Sequence, residues 1–369
     1  MKSGNLSEIK WFLRPKINLL AQGFPMEKMR LGKTGLAVSR SGFGALPIQR
    51  VPMDDAVRLL RRAFDAGINF FDTARYYSDS EEKIGAALSV VRSEVIIATK
   101  AMAPTRKEVL ASLAISLKNL RTDHVDVLQL HNPPSLPDAQ DPESSYAGLL
   151  EAREKGMARF IGITCHKLNN AREAAQSGHY DTIQFPLSSL SSDEDLTLAT
   201  LCREHDCGLI AMKALSGGLI TNAGTSFAFL RQFDNVLPIW GIQYDRELDE
   251  FVEFEKNPPV LDEALWNLIR KDRLELSGLF CRGCGYCMPC PAGIEISWCA
   301  RMMQLLRRAP SKAFMTDEWQ KKMRLINKCT KCGQCKKKCP YGLDTPALLE
   351  KNLEDYEQFY SAFNVLPVL

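Results

Sequence analysis

The stretch Gly67-Ile68-Asn69-Phe70-Phe71-Asp72-Thr73-Ala74-Arg75-Tyr76-Tyr77 holds a short apolar run that stops at an acid, and Met53–Ala66 before it has the spacing of an amphipathic helix. That pairing predicts a buried strand next to a surface helix. Working outward, the same alternation recurs eight times between about Met29 and Lys256. The strand candidates are Ser41–Pro47, Ile68–Thr73, Val95–Lys100, Val125–His131, Phe160–Thr164, Thr182–Phe185, Leu209–Lys213 and Val236–Gly241. Helical stretches such as Met53–Ala66 and Arg106–Leu120 lie between them. Strands alternating with helices build a parallel sheet, and eight units in about 230 residues predict an α/β TIM barrel. An open doubly wound sheet would carry Gly-x-Gly-x-x-Gly after its first strand. Here the turn reads Gly42-Phe43-Gly44-Ala45-Leu46-Pro47, so that fingerprint fails.

The 369 residues, 45% apolar and 25% charged, suffice for one large domain and a small one, and they exclude a disordered or fibrous chain. Forty-seven Lys and Arg against forty-four Asp and Glu leave +3, which carries no argument for a nucleic-acid binder. No apolar run approaches the roughly 18 residues of a membrane helix, and Trp11-Phe12-Leu13 before Arg14-Pro15 is too short for a signal-peptide core. Eight of the twelve Cys fall between Cys281 and Cys339 at ligand spacing, which predicts a reducing, cytoplasmic compartment. Three parts are expected: an N-terminal appendage over 1–25, the barrel over 26–256 with a hairpin from Met26 capping its floor, and a small domain over 257–369. The last of these is basic, with twelve Lys and Arg against two Asp and Glu between Arg301 and Pro340, and it ends in an amphipathic helix with Leu349, Leu353, Tyr356, Tyr360 and Phe363 on one face.

In a TIM barrel chemistry sits where strands end at the C-terminal face. The second strand runs into Asp72 with Tyr77 five residues on, the third ends at Lys100, and the fourth ends at His131-Asn132-Pro133. Singly each has a plain structural reading, as a helix cap, half-buried packing, a solvated ammonium or a satisfied loop imidazole. Together they converge on one pocket. Reduction of a carbonyl needs a proton donor at its oxygen, and a phenol with a pKa near 10 is a weak one. A nearby Lys100 is expected to lower the Tyr77 pKa, with Asp72 holding the Lys and His131 orienting the carbonyl.

Phe71-Asp72-Thr73-Ala74-x-x-Tyr77, Ile97-Ala98-Thr99-Lys100 and Leu130-His131-Asn132-Pro133, with Arg30–Leu36, Gly67–Asp72 and Arg159–Thr164, resemble the aldo-keto reductases from about Met26 to Glu255. The resemblance implies a nicotinamide cofactor, NADP or NAD, and a catalytic set of Asp72, Tyr77, Lys100 and His131. It also implies that Gln184 holds the nicotinamide amide. Thr164-Cys165 stand where the family has Ser-Asn, and Met212 where it has a stacking aromatic. The eighth strand and its loop, Pro238-Ile239-Trp240-Gly241-Ile242-Gln243-Tyr244, lack the family's usual phosphate clamp and offer Gly241, Gln243 and, further on, Arg246, with Lys213 as an auxiliary. The helix N-terminus that follows can hold a pyrophosphate.

Two cysteine runs close the chain: Cys281-x2-Cys284-x2-Cys287-x2-Cys290-Pro291 and Cys329-x2-Cys332-x2-Cys335-x3-Cys339-Pro340. The second has the spacing of bacterial two-cluster ferredoxins, in which the fourth Cys serves the other cluster. By that rule Cys281, Cys284, Cys287 and Cys339 bind one four-iron cubane (4Fe-4S), and Cys329, Cys332, Cys335 and Cys290 bind the second. The first run is one residue shorter before its Cys-Pro, which leaves the partition open. Zinc is the alternative, although it gains nothing from a third close Cys or a following Pro. Ile296, Ala300, Met303 and Leu306 at helical spacing predict a mainly helical, ferredoxin-like domain, with Cys299, Cys202 and Cys207 as core. Barrel and cysteine runs together resemble the branch of aldo-keto reductases fused to a ferredoxin domain.

The basic stretch has two readings. It balances the roughly −4 that two oxidised cubanes add with their thiolates, or Lys336-Lys337-Lys338 dock an acidic ferredoxin or flavodoxin. Three functions follow. The leading one is an oxidoreductase acting on a small aldehyde or ketone with nicotinamide. The second is a ferredoxin-linked reductase without nicotinamide, and the third is a non-catalytic binding barrel with structural clusters. Because cubanes pass single electrons and nicotinamide passes a hydride, any hydride reaction is expected to be independent of the clusters.

Overall fold

The computed structural model describes residues 26–276, 280–308 and 311–365. The expected appendage over 1–25 lies outside them. A hairpin of β1 (Lys28–Arg30) and β2 (Ala37–Ser39) precedes eight strands: β3 (Gly42–Gly44), β4 (Phe70–Asp72), β5 (Ile96–Ala101), β6 (Val125–His131), β7 (Ala158–Thr164), β8 (Thr182–Pro186), β9 (Gly208–Met212) and β10 (Val236–Gly241). The eight pair in parallel in chain order and close between β10 and β3. Every residue of β4, β5 and β6 is buried, as strands covered on one face by helices and on the other by the barrel interior must be. Their apolar runs therefore continue instead of alternating.

Two strands are shorter than expected, each for a local reason. Pro47 lacks an N–H, and it opens a 3-10 turn over Pro47–Arg50 where the first strand was expected to continue. Asn69 is drawn off the second strand because its side chain accepts from the Ser39 N–H (2.7 Å) and donates to the Ala37 carbonyl (2.9 Å), tying β4 to the hairpin.

The hairpin closes the N-terminal end of the barrel. Leu31, Leu36 and Val38 bury themselves with Phe70, Ile96, Val127 and Ile210 in the lower interior. Gly32 sits at φ +49 against the start of β9, where a Cβ would lie 2.3 Å from the Gly208 nitrogen.

A second core forms around Leu276, Ile294, Ile296, Met302, Leu305, Phe314, Met323, Leu343, Leu349, Leu353 and Tyr356. The helix Glu263–Glu275, expected with the second unit, packs on the barrel instead, with Ile269 buried in the barrel core and Trp266 edge-on to Phe229 at 5.9 Å. The single helical row through Ile296, Ala300, Met303 and Leu306 is also corrected. The chain breaks into Ile296–Cys299 and Met302–Arg308, and the break turns Met302 and Leu305 inward, leaving Met303 half-buried. Leu349, Leu353 and Tyr356 of the last helix (Thr345–Val365) are buried as expected, with Tyr360 packed beside them; the Phe363 side chain lies outside the described residues. No helix among the described residues is long and apolar enough to cross a membrane.

The contact at Gly32 gives a test of the floor. Gly32→Ala must move backbone, and it should cost about 2–3 kcal/mol, read as a lower urea midpoint at unchanged slope in a far-UV circular dichroism titration.

Candidate active site

Register brings the strand ends together. Asp72 pairs with Ala98, Lys100 with Gln129, His131 with Thr164, and Thr164 with Gln184, so these polar groups share the C-terminal layer of the barrel. Lys100 Nζ donates to both oxygens of Asp72 (2.7 Å each) and to the Thr73 carbonyl (2.6 Å). An ammonium has three hydrogens, and all three are used. Burial pushes Asp72 up and Lys100 down from their ordinary pKa values, while their mutual contact acts in the opposite sense.

The loop after β4 brings Tyr77 over this pair. Arg75 N–H donates to the Lys100 carbonyl (3.1 Å) and Tyr77 N–H to the Ala74 carbonyl (3.0 Å). Arg75 also pairs with Glu81, a fully buried carboxylate that accepts from Thr99 Oγ1 at 2.7 Å. The Tyr77 ring lies 5.4 Å from Lys100 Nζ. The expected lowering of the Tyr77 pKa does not follow. Burial, then Asp72 and Tyr286, hold the phenol well above its ordinary value, because the Lys100 hydrogens go to Asp72 and Thr73. Tyr77 is a neutral phenol, which carries the proton a carbonyl oxygen needs but holds it more tightly than a free phenol does. His131 is 94% buried and burial, then Lys100, lowers its pKa to about 3, so its imidazole is uncharged. Its Nδ1 has no hydrogen-bond partner among the described residues.

The residues expected to hold nicotinamide are in the right layer but largely committed. Gln184 Oε1 accepts from Gln129 Nε2 (2.9 Å), and its Nε2 faces Asp72 Oδ2 (3.3 Å). Thr164 Oγ1 accepts from the Asn132 N–H at 2.9 Å. Cys165 is buried, its thiol pushed up to about 12 by burial. Met212 packs with Ile210, Leu237 and Ile239 inside the barrel. Lys213 Nζ donates to the Arg282 carbonyl at 3.1 Å. At the eighth strand, the N–H groups of Gln243 (2.8 Å) and Tyr244 (3.2 Å) both donate to Glu247, which closes a capping box at the start of the helix Asp245–Lys256. Gly241 and Arg246 remain exposed, with Arg246 stacked 4.5 Å from the Tyr244 ring.

The loop of the first cysteine run lies over the same end. Besides Lys213, Arg301 donates to the Gly217 carbonyl (2.7 Å) and Arg308 to that of Leu219 (2.9 Å), so the second unit binds the segment after β9 at three points. Tyr286, between Cys284 and Cys287, meets His131 edge-on at 5.9 Å and His166 at 5.2 Å. His166 Nδ1 lies 2.5 Å from the hydroxyl of Tyr341, which follows Cys339-Pro340. Tyr286, His166 and Tyr341 were missed by sequence reasoning. The only signal was position, since Tyr286 lies within a ligand run and His166 follows Thr164-Cys165.

The cysteines line two neighbouring cavities. One is walled by Cys281, Cys284, Cys287 and Cys339. The other is walled by Cys290, Cys329, Cys332 and Cys335, with Cys287 on the shared side. This is the grouping that the crossover reading expects. Cys299, Cys202 and Cys207 are buried in the two cores.

Comparison with known proteins bears on both parts of the chain. Residues 40–237 match the model of the aldo/keto reductase family, and residues 280–344 match a 4Fe-4S dicluster domain. An L-galactose dehydrogenase of Arabidopsis thaliana is 34% identical over 54% of this chain and 68% of its own length. An uncharacterised oxidoreductase of Bacillus subtilis is 28% identical over 53% and 67%. Among solved structures, the holo form of an aldo-keto reductase from Bacillus halodurans has a TM-score of 0.59 at 21% identity, covering 67% of this chain and 96% of that one. A Klebsiella pneumoniae aldo-keto reductase in complex with NADPH gives 0.59 at 20% identity over 68% and 96%. These two show the shared barrel. With its eight-stranded barrel, its converging strand ends and its C-terminal 4Fe-4S domain, this chain is an oxidoreductase that belongs to the aldo/keto reductase family.

Proposed function

We propose that the chain interconverts a small aldehyde or ketone and its alcohol at Tyr77, and that the eight cysteines beside this site would hold two four-iron clusters able to supply electrons to it. The observation that carries this reading is the loop Cys281–Cys287, whose Tyr286 stands against His131. Cys281, Cys284, Cys287 and Cys339 would hold one cluster and Cys290, Cys329, Cys332 and Cys335 the other. Three closely spaced thiols with a following Cys-Pro in each run, and four thiols around each cavity, suit a cubane better than a zinc ion. When bound, such clusters supply electrons one at a time.

The protein's own part is acid chemistry. A carbonyl takes two electrons, here from an external reductant, and two protons to become an alcohol: the neutral Tyr77 hydroxyl supplies the proton at oxygen and water the one at carbon. Uncharged His131 orients that oxygen without competing as an acid. Asp72 and Lys100 act through position, holding the floor under Tyr77. An acidic ferredoxin or flavodoxin is the partner this reading calls for. Cys332 is exposed, and Lys328, Lys337 and Lys338 stand exposed near it in the chain; Lys336 and Lys331 pair with Asp344 and Glu350. The nicotinamide reading is supported by the family itself, one of whose solved structures holds NADPH, and by the exposed rim of Gly241 and Arg246.

The deciding experiment uses anaerobically purified protein and a panel of small aldehydes. Reduction is expected when the clusters are pre-reduced by a low-potential dye, and not with NADPH or NADH alone. Full activity with NADPH and oxidised clusters would restore the nicotinamide reading. Tyr77→Phe, which removes only the hydroxyl, should cut turnover by about 10²-fold or more while cluster content is unchanged.

Two further measurements follow. About eight iron and eight sulfide per chain are expected, and Cys335→Ser should lose about half of each; stoichiometric zinc without sulfide would reverse the assignment. His131 binds a proton near pH 3 folded and near 6.5 unfolded, so below about pH 6.5 the unfolded state takes up more protons and folding stability falls with pH. Relative to His131→Asn, the native protein should lose up to about 1.4 kcal/mol per pH unit between pH 6 and 4, as measured by urea unfolding.

A further inference from the structure

We infer that Tyr286 is a positioning residue of the barrel pocket, contributed by the loop of the first cysteine run, and that it holds the apolar body of a carbonyl substrate against Tyr77 and His131. The inference rests on the carbonyl reading above and adds to it a residue from outside the barrel.

Three phenol rings surround one neutral imidazole. Tyr76 and Tyr77 meet His131 edge-on at 6.2 and 5.8 Å, and Tyr286 meets it at 5.9 Å with an interplanar angle of 77°. Two of these rings come from the loop after β4, and the third comes from a segment some two hundred residues further along the chain. Tyr286 also turns an edge to His166 at 5.2 Å, and its proximity contributes to holding the Tyr77 phenol protonated. It therefore stands beside both residues that would meet the reacting carbonyl.

Its loop is clamped on the barrel and within its own unit. The Arg282 carbonyl is bonded to Lys213, and the Arg282 guanidinium lies 4.4 Å from the Phe280 ring and 4.8 Å from that of Tyr341. Gly283 turns at φ +62 directly under the Arg301 guanidinium, where a Cβ would lie 3.0 Å from Nη1, and Arg301 is itself bonded to the Gly217 carbonyl. A ring carried on a loop tied in this way has a fixed place, which a positioning role requires.

Lys100 gives all three of its hydrogens to Asp72 and Thr73, and Lys213 gives one of its three to the Arg282 carbonyl. The side chains packed on His131 are aromatic, and Tyr76 (50% exposed) and Met102 (48%), which follow β4 and β5, add apolar surface at the same end. Ring edges and faces favour an apolar, preferably aromatic body.

Cys284 and Cys287 flank Tyr286, so a molecule resting on its ring presses on the loop that lines the first cavity. The test uses benzaldehyde as probe with the full-length, iron-loaded protein, Tyr286→Ala and Tyr286→Phe. Tyr286→Ala should raise KM for benzaldehyde about threefold to tenfold with kcat within about twofold, and Tyr286→Phe should restore it, since the ring carries the contact. In the reduced protein, benzaldehyde should shift the electron paramagnetic resonance signal of one cluster in wild type and Tyr286→Phe but not in Tyr286→Ala. If Tyr286→Ala fails to hold iron, Tyr286→Leu, which keeps a packing side chain, replaces it under the same criteria. An unchanged KM together with an intact spectral shift in the ring-less variant overturns the inference. No turnover in wild type with any donor, but a spectral shift that needs Tyr286, overturns the carbonyl reading and leaves the positioning role standing; no turnover and no shift overturns both.

Discussion

Lys100 has three hydrogens and a buried carboxylate beside it, and much of the site follows from how they are spent. Burying an ion pair costs desolvation on both sides, which only close, complete hydrogen bonding offsets. Asp72 and the Thr73 carbonyl provide it. The same arrangement fixes the start of the loop that carries Tyr77, because the Lys100 carbonyl receives the Arg75 N–H while its side chain holds Thr73. It also consumes the amide of Gln184, which faces Asp72 instead of the open mouth. The catalytic layer is thus a polar knot set into an apolar barrel. Its protonation states are set by burial: a phenol that keeps its proton and an imidazole that refuses one.

How much of this was legible in the sequence depends on the range of the interaction concerned. The eight strands were legible because each is buried on both faces and reads as an apolar run whatever its neighbours are. Asp72, Lys100 and His131 were legible because a parallel barrel brings its strand ends to one place without any long-range detail. Strand lengths were less so, since Asn69 leaves its strand for a bond to the hairpin that no periodicity encodes. Met302 and Leu305 replaced Met303 in the core because the chain breaks beside Arg301, whose side chain reaches across to Gly217. The Tyr77 pKa was misjudged for a related reason. Proximity of a lysine was inferred correctly, but the fate of its hydrogens is a tertiary fact.

The largest departure concerns the segment after β9. In the sequence it looked like part of a weakened dinucleotide site, with Met212 where an aromatic was expected and Lys213 as an auxiliary. In the structure those substitutions make sense as an interface. Lys213, Gly217 and Leu219 each meet the second unit through an arginine, twice by its side chain and once by its backbone carbonyl. The erosion of one site and the gain of another are the same set of residues, and for this reason neither motif alone disclosed it.

The exchange of cysteines between the two runs has a consequence for how the protein is made. Cys339 walls the same cavity as Cys281, and Cys290 the same cavity as Cys329, so neither cavity is complete until the second run has left the ribosome. Chains emerge and fold from the N-terminus, so the barrel and its polar knot have time to form while the first four thiols wait, reduced and unshared. Metal loading becomes a late event performed on a finished scaffold. A ribosome that stalls between the runs would leave a folded barrel with a reactive, incomplete thiol loop beside its mouth, which makes the interval between Cys290 and Cys329 the part of synthesis most exposed to oxidation.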